Sequence, residues 1–549
     1  MTRIENYQHG GEVAVQQSET LPNLLSNLAK RQGDGAALIN KGETLTFAQL
    51  EDRASRLSGG LAELGVKPGD KVAVWLPNTL AGVELEFALA RLGAVAVAIN
   101  TMFRAHEVQD ILARSGARML ILWPGFKDID FLSIVADLGA EQIPDLETLV
   151  LLESDQSTLR ETPFAGMRMV AYSDLLAHER REEGLGHPEA QCVAFTSSGT
   201  TSAPKLILHA QRGISWHARA VAEAFSYRDP DCVVLGMLPF CGVFGFNTVM
   251  GAIAAGRPVV LMPIFDAEEA VCLIETHGVT HTNGTDDMLR RILAAVTPPS
   301  SISSLREAGF ASFSGDPKQL VAEGDSLGKR FYQVYGSSEV QALMARQPAD
   351  ADAEKRALGG GTPVSGEIDV RVRDQETGEL LPQEESGELE IRGPNVMIGY
   401  VNNPQAEKET FTDDGYVRTG DLGYLTKDGF VYLTRLGDTL RLSGFLVSPR
   451  EIEAYLEGLP GIAAAQVVGA STERGTRPIA FVVMEVGHEL DEAQVTNQCQ
   501  EGMAKFKVPK RVIALEDFPK VDSANGPKVQ RNKLRELAEE SLEDREAKG

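Results

Sequence analysis

The sequence predicts an α/β protein with at least two domains, on the strength of three observations. The chain has 549 residues, more than a single hydrophobic core normally serves. From residue 45 onward, helical and short apolar segments alternate, which is typical of parallel sheets covered by helices. Beyond residue 361 this texture gives way to short alternating strands and then to a smaller α+β unit.

The first elements follow each other closely. A polar arm over residues 1–20 precedes a helix predicted for 47–64, and a turn with Pro68 and Gly69 leads into a strand predicted for 71–76. Later elements are predicted as strands at 367–372, 387–392 and 429–433, a helix at 448–457 and a strand at 479–484. The first three of these indicate a small antiparallel or barrel-like element, and the last two indicate the α+β unit.

Composition and charge argue against several classes of function. Lys and Arg total 53 against 78 Asp and Glu, a formal net charge of −25. A surface this acidic repels phosphate backbones and anionic lipids, so neither nucleic acid nor membrane is expected as the main partner. The five cysteines show no metal-type spacing and the first residues contain no apolar run. Reduced thiols, no signal peptide and a cytoplasmic location are therefore expected.

One uncharged stretch, residues 233–256, has roughly the length of a membrane span. It contains Pro239 and several glycines, and it lies between motifs that resemble nucleotide-binding segments. Buried core beside a ligand pocket is therefore predicted for this stretch instead of a span.

The first chemical motif is rich in hydroxyl groups. It runs from Phe195 to Lys205, and five of the six residues at 196–201 carry a hydroxyl. Hydroxyls and exposed backbone N–H groups suit a loop that holds triphosphate oxygens, where Gly199 permits close approach. The signature GxxxxGK[ST] is not met, which disfavours a kinase or GTPase. A Ser/Thr-rich surface loop is the alternative interpretation.

Two further motifs combine a carboxylate with nearby polar groups. In residues 333–339, Glu339 follows two serines and lies just after Tyr335. A carboxylate in this setting suits Mg²⁺ beside a phosphate, and the aromatic ring suits stacking on a base. In residues 416–421, Asp421 ends a tight turn and could accept from both ribose hydroxyls, although Asp in turns is usually structural.

Together with four more segments, these motifs resemble the adenylate-forming superfamily of acyl-CoA synthetases, peptide-synthetase adenylation domains and beetle luciferases. The similarity runs from Leu45 to Leu534. The additional segments that carry it are residues 45–50 with 65–70, 435–438, 444–453 and 525–531. Each motif is weak alone, but all occur in the order found in the family.

The resemblance implies a nucleotide site. The residues that match its phosphate loop are Thr196, Ser197, Ser198, Gly199, Thr200, Thr201 and Lys205. The residues that match its contacts with adenine, α-phosphate and ribose are Gly315, Asp316, Pro317, Tyr335, Gly336, Ser337, Ser338, Asp421 and Arg435. Glu339 matches the Mg²⁺ ligand.

The resemblance also implies the catalytic groups. Lys528 matches the lysine that bridges the carboxylate and the α-phosphate, so the expected catalytic residues are Lys528, Glu339, Ser338 and Thr196. Ser443 and Gly444 match the path of the thiol. The expected acyl pocket consists of Phe240, Cys241, Gly242, Phe244 and Asn283, with the alternative that Cys241 only packs.

The implied fold has a large N-terminal domain and a small mobile one. Residues 21–434 are expected to form two doubly wound subdomains plus a β-barrel-like element, 435–440 a hinge, and 441–549 a C-terminal α+β domain. Lys528 would swing into the cleft between the domains for adenylation and out of it for thioester formation.

The implied function is ATP-dependent carboxylate–CoA ligation through an acyl-adenylate, with ATP, Mg²⁺ and CoA as substrates and cofactor. The acid is expected to be a short- to medium-chain fatty acid or an aromatic or alicyclic acid, and a homodimer is left open. Three alternatives remain: an enzyme that loads an acyl-carrier protein, a luciferase-like oxygenase, and a non-catalytic nucleotide-binding homologue.

The chain departs from the family pattern in four places. Ser202 and Leu206 stand where glycines are common, Gly437 stands at the hinge position, and Gly242 replaces a gating His or aromatic residue. Residues 281–287 are unusually polar for a segment near the acyl site. They predict either an acid with a polar substituent or side chains that cap the next helix.

Overall fold

The computed structural model describes residues 19–153, 163–164, 166–182, 184, 186–196, 205–297, 299–312, 317–374, 377–436, 440–442, 445–447, 449–472, 475–521 and 528–546. The helices within them are α1 (Leu21–Gln32), α2 (Phe47–Glu63), α3 (Leu80–Leu92), α4 (Ala105–Ser115), α5 (Phe131–Ala136), α6 (Tyr172–Leu176), α7 (Gln211–Ala224), α8 (Val243–Ala255), α9 (Ala267–His277), α10 (Asp286–Ala295), α11 (Pro317–Ser326), α12 (Ala353–Arg356), α13 (Pro404–Thr410), α14 (Pro449–Glu457), α15 (Glu492–Gly502) and α16 (Arg531–Glu546).

The first part of the chain contributes the strands β1 (Ala36–Asn40), β2 (Glu43–Thr46), β3 (Lys71–Trp75), β4 (Val95–Ala98), β5 (Met119–Leu122), β6 (Thr148–Leu151), β7 (Arg168–Ala171), β8 (Gln191–Thr196), β9 (Leu206–Ala210), β10 (Val234–Gly236), β11 (Val259–Leu261), β12 (His281–Thr285), β13 (Glu307–Ala311) and β14 (Arg330–Ser337). The remaining strands are β15 (Gln341–Arg346), β16 (Gly360–Pro363), β17 (Asp369–Arg373), β18 (Gly387–Arg392), β19 (Gly399–Tyr400), β20 (Val417–Thr426), β21 (Gly429–Arg435), β22 (Leu440–Leu442), β23 (Phe445–Val447), β24 (Ile462–Ala470), β25 (Arg477–Met484), β26 (Arg511–Ala514), β27 (Lys520–Val521) and β28 (Lys528–Val529).

One eight-stranded sheet has the order β19-β9-β8-β4-β3-β5-β6-β7. From β8 to β7 its neighbours run parallel, whereas β9 and β19 complete one edge in antiparallel pairs. Strands β4 and β5 are buried throughout, as expected for parallel strands covered on both faces. The β8–β9 hairpin carries the predicted phosphate loop at its tip.

The thirteen-stranded sheet combines parallel and antiparallel parts. Strands β1, β11, β10, β12, β13 and β14 pair in parallel, and β2 closes that edge as an antiparallel hairpin with β1. Beyond β14 the neighbours β15, β16, β21, β20, β18 and β17 pair antiparallel. The short alternating strands predicted after residue 361 therefore extend the second sheet and lie beside its parallel part.

Two apolar helices fill the space between the sheets. All residues of α3 are buried, and this helix packs against β4 and β8 of one sheet and β1 of the other. Helix α8 packs on the second sheet and reaches the first, where the rings of Phe246 and Phe195 meet edge to face at 5.2 Å. The uncharged stretch at 233–256 consists of β10, a turn and α8. In the part of the chain that the structure describes, every helix is too short or too polar to cross a membrane.

A small α+β unit ends the chain. Strands β24, β25 and β26 form its sheet, and α14 and α16 pack against β24. The observed α14 and β25 agree with the helix and strand predicted for 448–457 and 479–484. The α/β class with large N-terminal sheets and a smaller C-terminal domain is thus confirmed, while the exact domain and hinge boundaries stay a prediction.

Candidate active site

The base of the predicted phosphate loop is set by the β8–β9 hairpin. Thr196 ends β8 and pairs with Leu206 at the start of β9, so Thr196 and Lys205 flank the loop. The residues expected to hold phosphates themselves, Ser197, Ser198, Gly199, Thr200 and Thr201, lie outside the described residues, as does Ser202.

Lys205 and Glu339 come together through Tyr400. The Nζ atom of Lys205 lies 4.7 Å from the centroid of the Tyr400 ring, and the Tyr400 hydroxyl donates to Oε1 of Glu339 over 3.3 Å. Tyr400 reaches this position because β19 pairs with β9, directly beside the hairpin. The cation of the first motif and the carboxylate of the second thus face one aromatic side chain.

The turn that carries Ser338 and Glu339 is fixed by backbone contacts. His209 donates from Nε2 to the Ser338 carbonyl over 2.8 Å, and the Met397 N–H donates to the Glu339 carbonyl over 2.7 Å. Burial lowers the pKa of His209 to about 4, so its ring is neutral and acts as a fixed donor. Gly336 allows the close approach of this turn, because a Cβ there would lie 2.5 Å from the Gln341 carbonyl oxygen.

Tyr335 and Asp421 meet inside the second sheet. The Tyr335 hydroxyl donates to Oδ2 of Asp421 over 2.7 Å, and both side chains are buried. The ring of Tyr335 packs against Phe430 and Tyr432, with centroid separations of 5.1 and 5.6 Å. Of the residues expected beside adenine, Pro317 begins α11 and is half-buried, whereas Gly315 and Asp316 lie outside the described residues.

Asp421 and Arg435 occupy directly opposite positions in the β20–β21 pair. The Asp421 N–H donates to Oγ1 of Thr419 over 3.0 Å, and the Gly420 N–H donates to Oε1 of Glu388 over 3.1 Å. These bonds fix the turn ahead of Asp421, so the predicted ribose contacts occupy a rigid part of the sheet and not a loose turn.

The C-terminal candidates are only partly described. Lys528 lies in β28, which pairs with β27, but its side chain is outside the described part of the structure. Ser443 and Gly444 at the predicted thiol path, and Gly437 at the hinge position, also lie outside it.

The predicted acyl residues do not all line one space. Phe240 and Cys241 border a small cavity of about 20 Å³ that is partly open to solvent. Its wall is otherwise formed by Val74, Leu76, Pro77, Gly82, Glu86, Ala96, Ala98, Val193, Phe195 and Phe246. Gly242 precedes α8 as its N-cap residue and Phe244 lies in the first turn of that helix; neither borders the cavity.

Asn283 has a packing environment of its own. Its Nδ2 donates to the Tyr227 hydroxyl over 2.7 Å and to Oγ1 of Thr248 over 3.1 Å, which ties β12 to α8. Thr285 caps α10 by accepting from the Met288 N–H over 3.2 Å. The polar segment at 281–287 therefore includes a helix cap, one of the two interpretations that its sequence allowed.

The titratable groups at the cavity are neutral near pH 7. Burial raises the pKa of the Cys241 thiol to about 12, so it is not a thiolate nucleophile. Burial also raises the pKa of Glu86 to about 8, although a long contact of 3.5 Å from the Cys192 thiol opposes the shift. The cavity therefore offers an apolar wall with one neutral carboxyl group.

Two residues at the site carry no motif signal. Tyr400 follows Gly399 in a two-residue strand, and Glu86 is one of two glutamates in the apolar helix α3. A glutamate within an otherwise apolar helix is a detectable signal for a buried carboxyl group, whereas the position of Tyr400 depends on long-range strand pairing.

Comparison with known proteins identifies the family of the chain. Residues 25–401 match the model of the AMP-binding enzyme family, and residues 451–525 match the AMP-binding enzyme C-terminal domain. The 2-succinylbenzoate–CoA ligase of Bacillus cereus (strain Q1) is 31% identical over 533 residues, which span 95% of this chain and 100% of that protein.

Two solved structures of o-succinylbenzoate CoA synthetase from Bacillus subtilis are also similar. Both are 26% identical and cover 94% of this chain, as well as 98% of their own. A double mutant bound with its product analogue OSB-NCoA gives a TM-score of 0.78, and the complex with the acyl-adenylate intermediate OSB-AMP gives 0.63. The chain therefore belongs to the AMP-binding enzyme family and is an AMP-forming acid–thiol ligase.

Proposed function

We propose that this ligase joins an aromatic or alicyclic carboxylic acid to CoA, with ATP converted to AMP and pyrophosphate. The observation that carries the proposal is the assembly of Tyr335, Asp421, Glu339 and Lys205 from distant segments in a chain of this family. The choice of acid is supported by the relative that ligates 2-succinylbenzoate, an aromatic acid, because this chain matches that relative over nearly its whole length.

In this proposal the nucleotide lies at the second sheet, where the interior strands β14 and β20 carry Tyr335 and Asp421. The buried ring of Tyr335 faces adenine, Asp421 accepts from the ribose hydroxyls, and Arg435 assists from the opposite strand. Thr196, Lys205 and the loop between them hold the phosphates, with Gly336, Ser337 and Ser338 at the α-phosphate. Fixed backbone contacts at Ser338 and Glu339 mean that little reorganisation is needed when ATP binds.

Glu339 fits a role in Mg²⁺ binding. Its carboxylate is half-buried and is oriented by the Tyr400 hydroxyl. Mg²⁺ beside nucleotides is commonly held by one or two carboxylates together with phosphate oxygens and water, so a single glutamate is sufficient here. When bound, the ion would neutralise charge on the phosphates.

Adenylation is chiefly a matter of position and charge. A carboxylate oxygen of the acid attacks the α-phosphorus, a P–O bond forms, and the bond to pyrophosphate breaks. Both reactants are anionic, so positive charge is needed between them. Lys205 places it at the phosphates, and Lys528 places it between the carboxylate and the α-phosphate.

Thioester formation uses the nucleophilicity of the CoA thiol. Its thiolate attacks the acyl carbon, a C–S bond forms, and AMP leaves with the electrons of the broken C–O bond. Ser443 and Gly444 line the path of the thiol in this proposal. Cys241 takes no part, because burial keeps it protonated.

The arrangement of the two domains suits this second step. The same relative gives a TM-score of 0.78 in its product-analogue complex and 0.63 in its acyl-adenylate complex, at equal identity and coverage. A difference of that kind is expected when domains keep their folds but differ in relative orientation. On this basis we assign the structure to the arrangement used for thioester formation, and we propose that rotation about residues 435–440 gives the adenylating one.

We place the apolar part of the acid at the cavity beside Phe240 and Cys241, which has a volume of about 20 Å³ and must widen when a ring binds. Its wall contains Phe195, Phe240 and Phe246, which offer flat surfaces to a ring. Glu86 is neutral near pH 7, so it does not repel an incoming carboxylate. In this proposal Asn283 supports the pocket indirectly through α8.

The test is AMP and pyrophosphate release with ATP, Mg²⁺ and a panel of aromatic, alicyclic and fatty acids, with and without CoA. Sustained release that requires CoA, with thioester formed from ring-bearing acids, is expected. Fatty acids as the best substrates would overturn the choice of acid, and adenylation without thioester would favour a carrier-protein acceptor. Lys528→Ala should abolish adenylation in the folded protein, and nucleotide binding without turnover by the unsubstituted chain would favour a non-catalytic homologue.

A further inference from the structure

A buried ion cluster crosses the contact between the two domains. Lys507 donates from Nζ to Oε1 of Glu107 over 2.8 Å and also bonds Oε1 of Glu451. Glu107 belongs to α4 of the N-terminal domain, whereas Glu451 lies on α14 of the C-terminal domain. The side chains are only 5%, 5% and 14% exposed for Lys507, Glu107 and Glu451.

Glu107 and Lys507 make further contacts in this cluster, whereas Oε2 of Glu451 is buried and has no hydrogen-bond partner within the described part of the chain. Oε1 of Glu107 also accepts from the Ala504 N–H over 3.4 Å, and its Oε2 accepts from the Arg104 N–H over 2.9 Å. The Nζ atom of Lys507 lies 4.7 Å from the Phe103 ring centroid. Burial opposes a charged ammonium, but the two carboxylates outweigh it and raise the pKa of Lys507 above its ordinary value.

Apolar packing surrounds these charges without fixing an orientation. Side chains of both domains share one hydrophobic cluster, which includes Phe103, Val108, Ile111, Ile452 and Phe506. Apolar contacts are non-directional, so this surface alone would tolerate sliding. The ion pair between Lys507 and Glu107 does not tolerate sliding. A small displacement would leave the buried Glu107 carboxylate with neither its partner nor water.

The same cluster permits opening. Lys507 and Glu451 stay together when the small domain rotates, since both belong to it. When the domains separate, Glu107 on one side and the Lys507–Glu451 pair on the other are hydrated again, which offsets the lost attraction. A buried ion pair therefore specifies an orientation more than it adds net stability. This property suits a contact between domains that must form in one half-reaction and separate in the other.

We infer that Glu107 and Lys507 are positioning residues for thioester formation, because they hold the C-terminal domain in the orientation that the second half-reaction uses. The inference rests on the proposed function, including the assignment of this domain arrangement to the thioester-forming step. These residues act through the domain orientation and touch neither the acid nor the nucleotide.

The test separates the two half-reactions. Pyrophosphate exchange measures adenylation, and single-turnover transfer from preformed acyl-adenylate to CoA measures thioester formation. Glu107→Gln removes the charge but keeps an acceptor for the Arg104 N–H, and Lys507→Gln removes the cation. Each should slow transfer about tenfold, as for loss of a buried charge-assisted hydrogen bond, and leave exchange unchanged within about twofold.

The double variant and one control complete the design. Glu107→Gln with Lys507→Gln should be no slower in transfer than the worse single variant, because both remove one interaction. Glu84→Gln alters a buried carboxylate paired with Arg53 inside the N-terminal domain, so any loss of stability should affect both half-reactions alike.

Equal slowing of both half-reactions, no slowing at all, or additive losses in the double variant would overturn the inference alone. Absence of both half-reactions from the unsubstituted chain would instead overturn the proposed function, and the inference with it.

Discussion

The hydroxyl of Tyr335 donates a 2.7 Å hydrogen bond to Oδ2 of Asp421, which joins the residue assigned to adenine with the residue assigned to ribose. The two lie 86 positions apart in the sequence and are brought together by the antiparallel part of the second sheet. Because Asp421 is only 4% exposed, its carboxylate depends on such donors in place of water. The Tyr335 hydroxyl therefore helps to orient the Asp421 carboxylate.

Tyr335→Phe tests this relationship. Loss of a donor to a buried carboxylate costs about 1–3 kcal/mol, so the KM for ATP should rise roughly tenfold, with a smaller change in kcat. Tyr332→Phe is the matched control on the same strand, because its hydroxyl donates to Glu307 and not to Asp421. Equal changes in KM for both variants would show that the Tyr335–Asp421 bond has no specific role.

Glu339→Gln tests the proposed Mg²⁺ ligand. The amide is a weaker ligand than the carboxylate, so the Mg²⁺ concentration for half-maximal adenylation should rise about tenfold or more. Tyr400→Phe keeps the carboxylate but removes its 3.3 Å hydrogen bond, together with the 3.2 Å bond between the Tyr400 hydroxyl and Oγ1 of Thr410. A change of less than about threefold is expected there. A titration of pyrophosphate exchange against Mg²⁺ measures both, and an unshifted midpoint in Glu339→Gln would exclude this residue as the ligand.

Glu86 should make stability depend on pH. Burial raises its pKa from 4.5 to about 8, so between these values the folded protein retains a proton that the unfolded chain releases. Stability from this group is therefore lost as pH rises from about 4.5 to 8. At pH 8 the free energy of unfolding of Glu86→Gln should exceed that of the unsubstituted protein by on the order of a few kcal/mol, which raises the unfolding temperature. At pH 4.5 the two proteins should unfold at similar temperatures.

The control for Glu86 is the exposed Glu63, whose replacement by Gln should leave the pH profile unchanged. Thermal unfolding of the three proteins across this pH range measures the effect. A constant difference between Glu86→Gln and the unsubstituted protein at all pH values would contradict the prediction.

Gly309→Ala should destabilise the fold through Asn283. An added Cβ would lie 2.3 Å from Oδ1 of Asn283 and 2.8 Å from Cγ1 of Val334. Overpacking of this kind costs about 1–3 kcal/mol, measurable as a lower denaturant midpoint. Gly366→Ala, where no atom lies within 4 Å of the added Cβ, should be near neutral. Asn283→Ala costs stability of its own, so the test is the double variant: if the losses from Gly309→Ala and Asn283→Ala simply add, the clash does not involve Asn283.

Much of the fold could be predicted from local patterns. The helix predicted for 47–64 is observed as Phe47–Glu63, and the strand predicted for 71–76 as Lys71–Trp75. Both are bounded by local signals, a capping box at Thr46 and Gln49 for the helix and the Pro-Gly turn for the strand. The extension of the second sheet by antiparallel strands was not specified by such signals, because edge pairing depends on distant partners.

The same distinction between local signals and long-range pairing applies to the residues of the candidate site. Tyr335 and Asp421 could be identified from motifs, whereas Tyr400 could not, because its place beside Lys205 depends on pairing between β19 and β9. Glu84 and Glu86 illustrate the same limit within one helix. Glu84 is paired with Arg53, and the bond described for Glu86 comes from a thiol, a difference that arises only once the helices pack.

The N-terminal hairpin β1–β2 has a consequence for synthesis of the chain. Its partner strand β11 lies far along the sequence, as the bond from Asn40 to the Leu261 carbonyl across 221 positions shows. During translation this hairpin leaves the ribosome long before β11 exists, with one edge of β1 unpaired. Strand β1 therefore cannot complete its pairing in the sheet until the central strands have been synthesised, so its final placement lags behind its own synthesis.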